Sequence, residues 1–428
     1  MRAADLFRKY RKSINPPYSR KDISSIAATI FILITIPLTV FLILNARGYF
    51  SRAAGISAFE AENATISGLV SVGNDTNASG GRYIQFGSGS ANFQPAAPYY
   101  ATFYYPWFQN QKTDGTWGIW SSNSHSAPTN WFSNYLPNVN TSAFDPANEL
   151  YSSNDDAILY WQLSKLAWAK QEVAISSWWG QGTLTDNAFK HIVTDVMNRA
   201  DNPYPNLRWC IYYELEGQPP ASGGDPTVAT IVSDLNYIKT NYASQPSYLK
   251  INGRPVIFVY AYSNDGADMA LRWAQAKAQV DFYVVLKVYG GYKTDPNQPD
   301  SWHQYSPATR IDSQTTYSYA VSPGFWRAAP GDTIRLCRNL DGPAQTNCDS
   351  ANPTAAIPSF KDAVTTMVAS NATWNLTETW NEWGEGTAVE PGDQVNQVTS
   401  GSATLNGSTP FKDQYINILH TLLPNLEQ

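Results

Sequence analysis

From Tyr99 to Leu423 the chain alternates two kinds of pattern. Short, nearly continuous apolar or aromatic runs (YYATFYY, VAISSWW, RWCIYYE, VIFVYAY, FYVVLKV, TTYSY and TWNLTET) are separated by longer segments whose apolar residues recur at helical spacing. The runs are strand-length, rich in β-branched and aromatic residues, and too continuous for a sheet with one wet face, so they predict strands buried on both sides. The intervening segments predict helices over 155–171, 186–200, 228–241, 267–278 and 359–369, with a last one over 411–423. In the first of these, Leu159, Leu163, Leu166 and Ala167 share a face, and Asp155 or Asp156 is placed to cap it. Strand followed by helix, repeated over about 330 residues, predicts parallel strands, and the length fits an α/β fold of the (β/α)8 TIM-type barrel. An open doubly wound sheet is the alternative, but no glycine-rich phosphate fingerprint follows any strand.

Ahead of this body the pattern changes. Ile23 to Leu44 is 22 residues without a charge, enough at 1.5 Å per residue to span a bilayer core of about 30 Å. Residues 1–22 hold seven basic and two acidic side chains. Such a flank predicts a basic cytoplasmic tail (1–22), a transmembrane signal anchor (23–44) and everything after it outside the cell membrane. Cleavage of the segment as a signal peptide, giving a secreted protein, is the alternative. Residues 45–98 are rich in Gly, Ser, Asn and Ala and read as a linker with short strands at FEAE and RYIQF; the barrel is expected over 99–428. Because the total charge is −6 and the tail carries a net +5, about −11 falls on the rest, which argues against nucleic acid as a partner.

Cys337 and Cys348 bracket a polar, turn-rich loop, and an external body would let them form a disulfide worth up to about 3 kcal/mol. Cys210, in RWCIYYE, reads instead as a buried thiol. The four histidines are scattered without metal-ligand spacing, so neither a metal nor another cofactor is expected. No serine elbow appears.

Chemistry is expected at the C-terminal ends of the strands. Those ends carry Tyr104, Tyr105 and Trp107; Trp178 and Trp179; Glu214 and Glu216; Tyr260 and Tyr262; and Asn381, Glu382 and Glu385. With 15 Trp and 26 Tyr in 428 residues, there are rings enough to stack on sugars, whose C–H faces are apolar. Glu382 and Glu385 are three apart, so a helical turn would bring their Cβ atoms to about 5–6 Å. An acidic surface turn would account equally well for that spacing taken alone. Two carboxyl groups beside stacked rings are the equipment of glycoside hydrolysis. Glu378 and Glu390 flank the pair and are read as structural.

FYYPWFQNQKTDGTWGIW, SSWWGQG, YYELEG, YLKINGRPVIFVYAY and above all WNEWGEGTAVEP resemble glycoside hydrolase family 99, the endo-α-mannosidase family, and its bacterial relatives. The resemblance implies a (β/α)8 barrel acting on an α-linked, mannan-like oligo- or polysaccharide. It implies Glu382 as base and Glu385 as general acid, with the substrate's own 2-hydroxyl attacking C1 to give a 1,2-anhydro sugar that water opens with retention. It also implies that Tyr105, Trp107, Trp179, Glu214, Tyr260 and Asn381 line the substrate subsites. The piece at 56–93 resembles a truncated carbohydrate-binding module. Two further readings stay open: a glycan-binding surface protein without turnover, and an α-glucanase of a related barrel family.

Overall fold

A computed structural model describes residues 70–74, 82–86, 93–122, 127, 150–219, 223–262, 266–327, 334–395 and 410–425. The basic tail, the apolar segment Ile23–Leu44 and the FEAE run lie outside the described residues. Among the described residues no helix is long and apolar enough to cross a membrane. The chain divides into two units, residues 1–86 and 87–428. In the first, β1 (Val70–Asn74) pairs antiparallel with β2 (Arg82–Phe86), Val70 opposite Phe86.

The second unit is an α/β barrel-like fold. Its strands are β3 (Tyr99–Tyr104), β4 (Val173–Trp178), β5 (Arg208–Glu216), β7 (Arg254–Ala261), β8 (Tyr283–Lys287), β9 (Ser301–His303), β11 (Ser318–Val321) and β12 (Trp374–Thr377). All pair in parallel, in chain order from β3 to β9 and from β11 to β12. The last strand returns to the first, with Trp374 opposite Tyr99, so the sheet curls round. No ladder joins β9 to β11 among the described residues; β10 (Ile311–Ser313) instead folds back antiparallel onto β11. The two-residue β6 (Lys250–Ile251) is a hairpin arm on β7, and β13 (Gly392–Val395) pairs with β14 (Pro410–Lys412) apart from the main sheet.

Every residue of β3 and β4 is buried, as strands covered on both faces require. Inside the curl Phe103 is the hub, its ring 4.7 Å from that of Tyr212, 5.0 Å from Tyr305 and 6.5 Å from Phe258. Helices α1 (Asp156–Trp168), α2 (Leu184–His191), α3 (Val228–Asn241), α4 (Ala267–Lys277), α5 (Phe360–Val368) and α6 (Gln414–Leu422) lie between or after the strands. Asp155, Thr183, Thr227 and Ser359 cap four of them, each side chain accepting from a backbone N–H in the first turn.

Two helices end earlier than their patterns predict. Lys170 adopts a left-handed conformation (φ 54°) that stops α1 short of Gln171. The segment expected to be helical to Ala200 leaves the α-helical register at Ile192, where a π-turn runs to Val196. Among the described residues no α-helix follows β8 or β9; a single 3-10 turn, Tyr292–Thr294, lies between them. From β11 the chain instead makes a long excursion, residues 322–358, stitched by short bridges between Phe325 and Leu336 and between Gln345 and Ile357. Within it Cys337 and Cys348 form a disulfide. Cys210 is a buried free thiol on β5.

Candidate active site

The turn after β12 is built around hydrogen bonds that leave its carboxylates little freedom. Asn381 is fully buried; its Oδ1 accepts from the backbone N–H of Tyr105 (2.7 Å), and its Nδ2 donates to the Tyr105 carbonyl (3.0 Å) and the Tyr151 hydroxyl (3.1 Å). Its amide therefore joins the aromatic end of the first barrel strand to the acid-bearing end of the last, beyond the β12–β3 ladder that ends at Thr377 and Thr102. Glu382 follows, its N–H donating to Thr379 Oγ1 (2.9 Å), and a 3-10 turn over Trp383–Glu385 delivers Glu385. The pair thus flanks a single tight turn and does not sit one helical turn apart on an α-helix. Gly386 closes the turn at φ 65°, and a Cβ there would clash with the Trp326 carbonyl.

Glu382 is buried, and Glu385 keeps 21% of its side chain exposed. Burial, then the charges of Glu385 and Glu214, push Glu382 well above the usual carboxylate range. Glu385 is raised too, by burial, but the guanidinium of Arg327, 3.3 Å from Oε1, and that of Arg335 hold it down. Of the two, then, Glu382 is the carboxyl raised further, and Arg327 and Arg335 favour the ionised form of Glu385. Glu214, at the end of β5, is a third buried carboxyl, lifted by burial to about 8.

Rings and a cation complete the neighbourhood. The Tyr105 hydroxyl donates to that of Tyr305 (2.8 Å), and both phenols are raised by burial and by the nearby glutamates. Trp107 lies 4.6 Å from the Tyr105 ring, with its Nε1 enclosed and lacking a hydrogen-bond partner. The Tyr260 ring packs 5.8 Å from Tyr305 and carries the Lys287 ammonium over its face at 4.4 Å. Burial lowers Lys287, which donates to the Ala261 carbonyl (2.9 Å) while the charges of Glu378 and Glu214 work to raise it. Trp179, 38% exposed at the end of β4, is tied through its backbone N–H to Thr185 Oγ1 (3.0 Å). Among the described residues no three His, Cys, Asp or Glu side chains group to hold a metal ion.

The outer acids are engaged elsewhere. Glu390, fully buried and raised to about 7, accepts from Tyr151 (3.0 Å), Gln162 (2.6 Å) and Trp383 (2.7 Å). Both oxygens of Glu378 accept from the Ser306 N–H, at 3.2 and 3.1 Å. Glu216 is spent on Arg272 and Trp273, each at 2.6 Å. Phe325 and Trp326, after β11, are buried, and the following Arg327 reaches Glu385. Arg327, Tyr305 and Lys287 carry no pattern in the sequence that would have singled them out, since each is one polar residue on a strand end or loop. A cavity of about 310 Å³, lined by Phe93, Gln94, Tyr100, Glu172 and Pro424, lies at the opposite, strand-N-terminal end, remote from these groups.

The model of glycosyl hydrolase family 99 matches residues 95–276, a stretch that holds Tyr105, Trp107, Trp179, Glu214 and Tyr260 and ends before the acid turn. Among solved structures, that of the family 99 endo-α-mannosidase from Bacteroides thetaiotaomicron is similar with a TM-score of 0.50 at 16% identity, covering 76% of this chain and 97% of its own. A second structure of that enzyme, in complex with bis-tris-propane, gives 0.53 at 16% identity over 76% of this chain and 96% of its own. At that identity the likeness shows the fold. No curated protein matches the sequence.

Proposed function

From a chain whose residues 95–276 carry a glycosyl hydrolase family 99 domain, we propose a membrane-anchored, outward-facing, retaining hydrolase that cuts within an α-linked, mannan-like glycan. The observation that carries this reading is the Glu382–Glu385 turn, two carboxyls delivered by one tight turn at the C-terminal end of a barrel strand, near the buried, hydrogen-bonded phenols of Tyr105 and Tyr305. In the reaction Glu382 takes the proton of the substrate's 2-hydroxyl, whose oxygen attacks C1, while Glu385 protonates the departing glycosidic oxygen. Water then opens the 1,2-anhydro ring, giving a proton to Glu385 as Glu382 returns one to the 2-oxygen. Retention follows from two inversions at C1. The geometry of attack needs the 2-hydroxyl trans to the leaving group, which an α-mannoside has and an α-glucoside lacks.

The resting charges run against these roles, because Arg327 favours the ionised form of Glu385. Glycan binding must therefore draw Arg327 away and set the leaving oxygen against Glu385. The swapped assignment, with Glu382 as acid, is the second reading, favoured by that resting order. A panel of α-mannans and α-glucans, with an α-mannobiosyl fluoride as the activated substrate, separates them. Glu385→Gln should lose most polymer hydrolysis yet keep part of its activity on the fluoride, which needs little protonation, while Glu382→Gln should be inactive on both. The reverse pattern would install the swapped roles. Release from glucan alone would end the 2-hydroxyl mechanism, and binding without release would favour a lectin-like surface protein.

A further inference from the structure

The excursion 322–358 grips the acid turn from two sides. At one edge of its Phe325–Leu336 bridge, the Trp326 N–H donates to the Glu385 carbonyl (2.8 Å). At the other, Arg338 Nη2 donates to the carbonyls of Gly386 (2.9 Å) and Ala388 (2.7 Å). Arg338 is buried, with its guanidinium 4.6 Å from the Phe411 ring and 5.0 Å from that of Tyr415. Its stem is hemmed in by Gly324, where a Cβ would come within 2.6 Å of Arg338 Cγ. One residue away, the Cys337 carbonyl accepts from buried Arg310 (2.7 Å), and the Cys337–Cys348 bridge closes the loop.

A buried guanidinium is costly unless its donors are met, and here carbonyls of the acid turn meet one of its nitrogens twice. We propose that Arg338 is a positioning residue for Glu385: it fixes the segment 386–388, and so the direction in which the Glu385 carboxyl leaves its turn. This rests on the reading of Glu385 as the acid. A lysine ammonium ends one bond short of Nη2 and has no planar face to lie on the two rings, so it would hold these carbonyls less firmly. Displacing a catalytic group by about 1 Å can cost on the order of 10²-fold in rate.

The test uses the full-length protein as wild type, Arg338→Lys, Arg338→Met and Glu385→Gln, each assayed on an α-mannan oligosaccharide and on α-mannobiosyl fluoride, with amide exchange followed across residues 383–389. Arg338→Lys should lose about 10-fold to 10²-fold in kcat on the oligosaccharide, distinctly less on the fluoride, with KM little changed. Exchange at Glu385–Val389 should be faster in Arg338→Lys, and Arg338→Met should exceed it in every respect if it folds. Equal fractional losses on the two substrates, or unchanged exchange, would overturn the proposal, and Arg338→Lys alone decides this if Arg338→Met does not fold. If Glu385→Gln shows no preference between substrates while exchange still rises in Arg338→Lys, the acid assignment is what has failed, and Arg338 remains a brace of the turn.

Discussion

Replacing Asn381 by alanine separates two roles that one polar residue in a sugar-binding cleft could have. A residue that touches only the glycan can be removed with little effect on stability. In this fold, however, the Asn381 amide meets both the N–H and the C=O of Tyr105, at 2.7 and 3.0 Å, in a site closed to water. Deleting it leaves two buried backbone groups without partners, each costing about 1–3 kcal/mol, so Asn381→Ala should be destabilised by about 2–6 kcal/mol. Asn381→Asp keeps an acceptor for the Tyr105 N–H but loses both donated bonds and buries a charge, so it should fare no better. Urea titration followed by tryptophan fluorescence reads the midpoint and slope. Activity should fall with stability, because Tyr105 carries the hydroxyl bonded to Tyr305 and the ring against Trp107. A variant within about 0.5 kcal/mol of wild type that nonetheless binds glycan poorly would refute the clamp and return Asn381 to direct sugar contact.

Two further outcomes follow from named contacts. Arg327 stabilises the ionised form of Glu385, so Arg327→Met should let Glu385 keep its proton to higher pH; because Glu382 is the carboxyl raised further, it is the acid limb of the kcat/KM profile, set by Glu385, that should move upward. An acid limb that stays put or moves down would mean that Arg327 does not hold Glu385 ionised. Cys337 and Cys348 close a loop with a sequence separation of 11, and Cys337→Ser with Cys348→Ser should cost about 3 kcal/mol by chain entropy, with loss of activity outpacing loss of fold as the brace around Arg338 loosens. Thermal unfolding beside turnover measures both; an active, fully stable double variant would detach the bridge from the acid turn.

The strands and helices from Tyr99 onward were legible because burial on both faces of a curled sheet demands continuous apolar runs, and because caps such as Asp155 and Thr227 act within a few residues of themselves. WNEWGEG was legible as well, since Gly386 must be glycine where the Trp326 carbonyl comes so close. Other assignments needed contacts that sequence distance conceals. Glu390 reads as structural from its place outside the pair, but the donors that hold it, Tyr151, Gln162 and Trp383, appear only in the fold.

By itself, then, the sequence determined what depends on neighbours along the chain: element type, strand and helix alternation, and the spacing of the paired carboxylates. Tertiary structure alone decided which charges face one another. Arg327 meets Glu385 across 58 residues, Arg338 reaches Gly386 across 48, and Asn381 holds Tyr105 across 276. Proton affinity and aim depend on distance and burial in space, and a chain folded into a barrel-like sheet brings its first and last strands together where the sequence keeps them farthest apart.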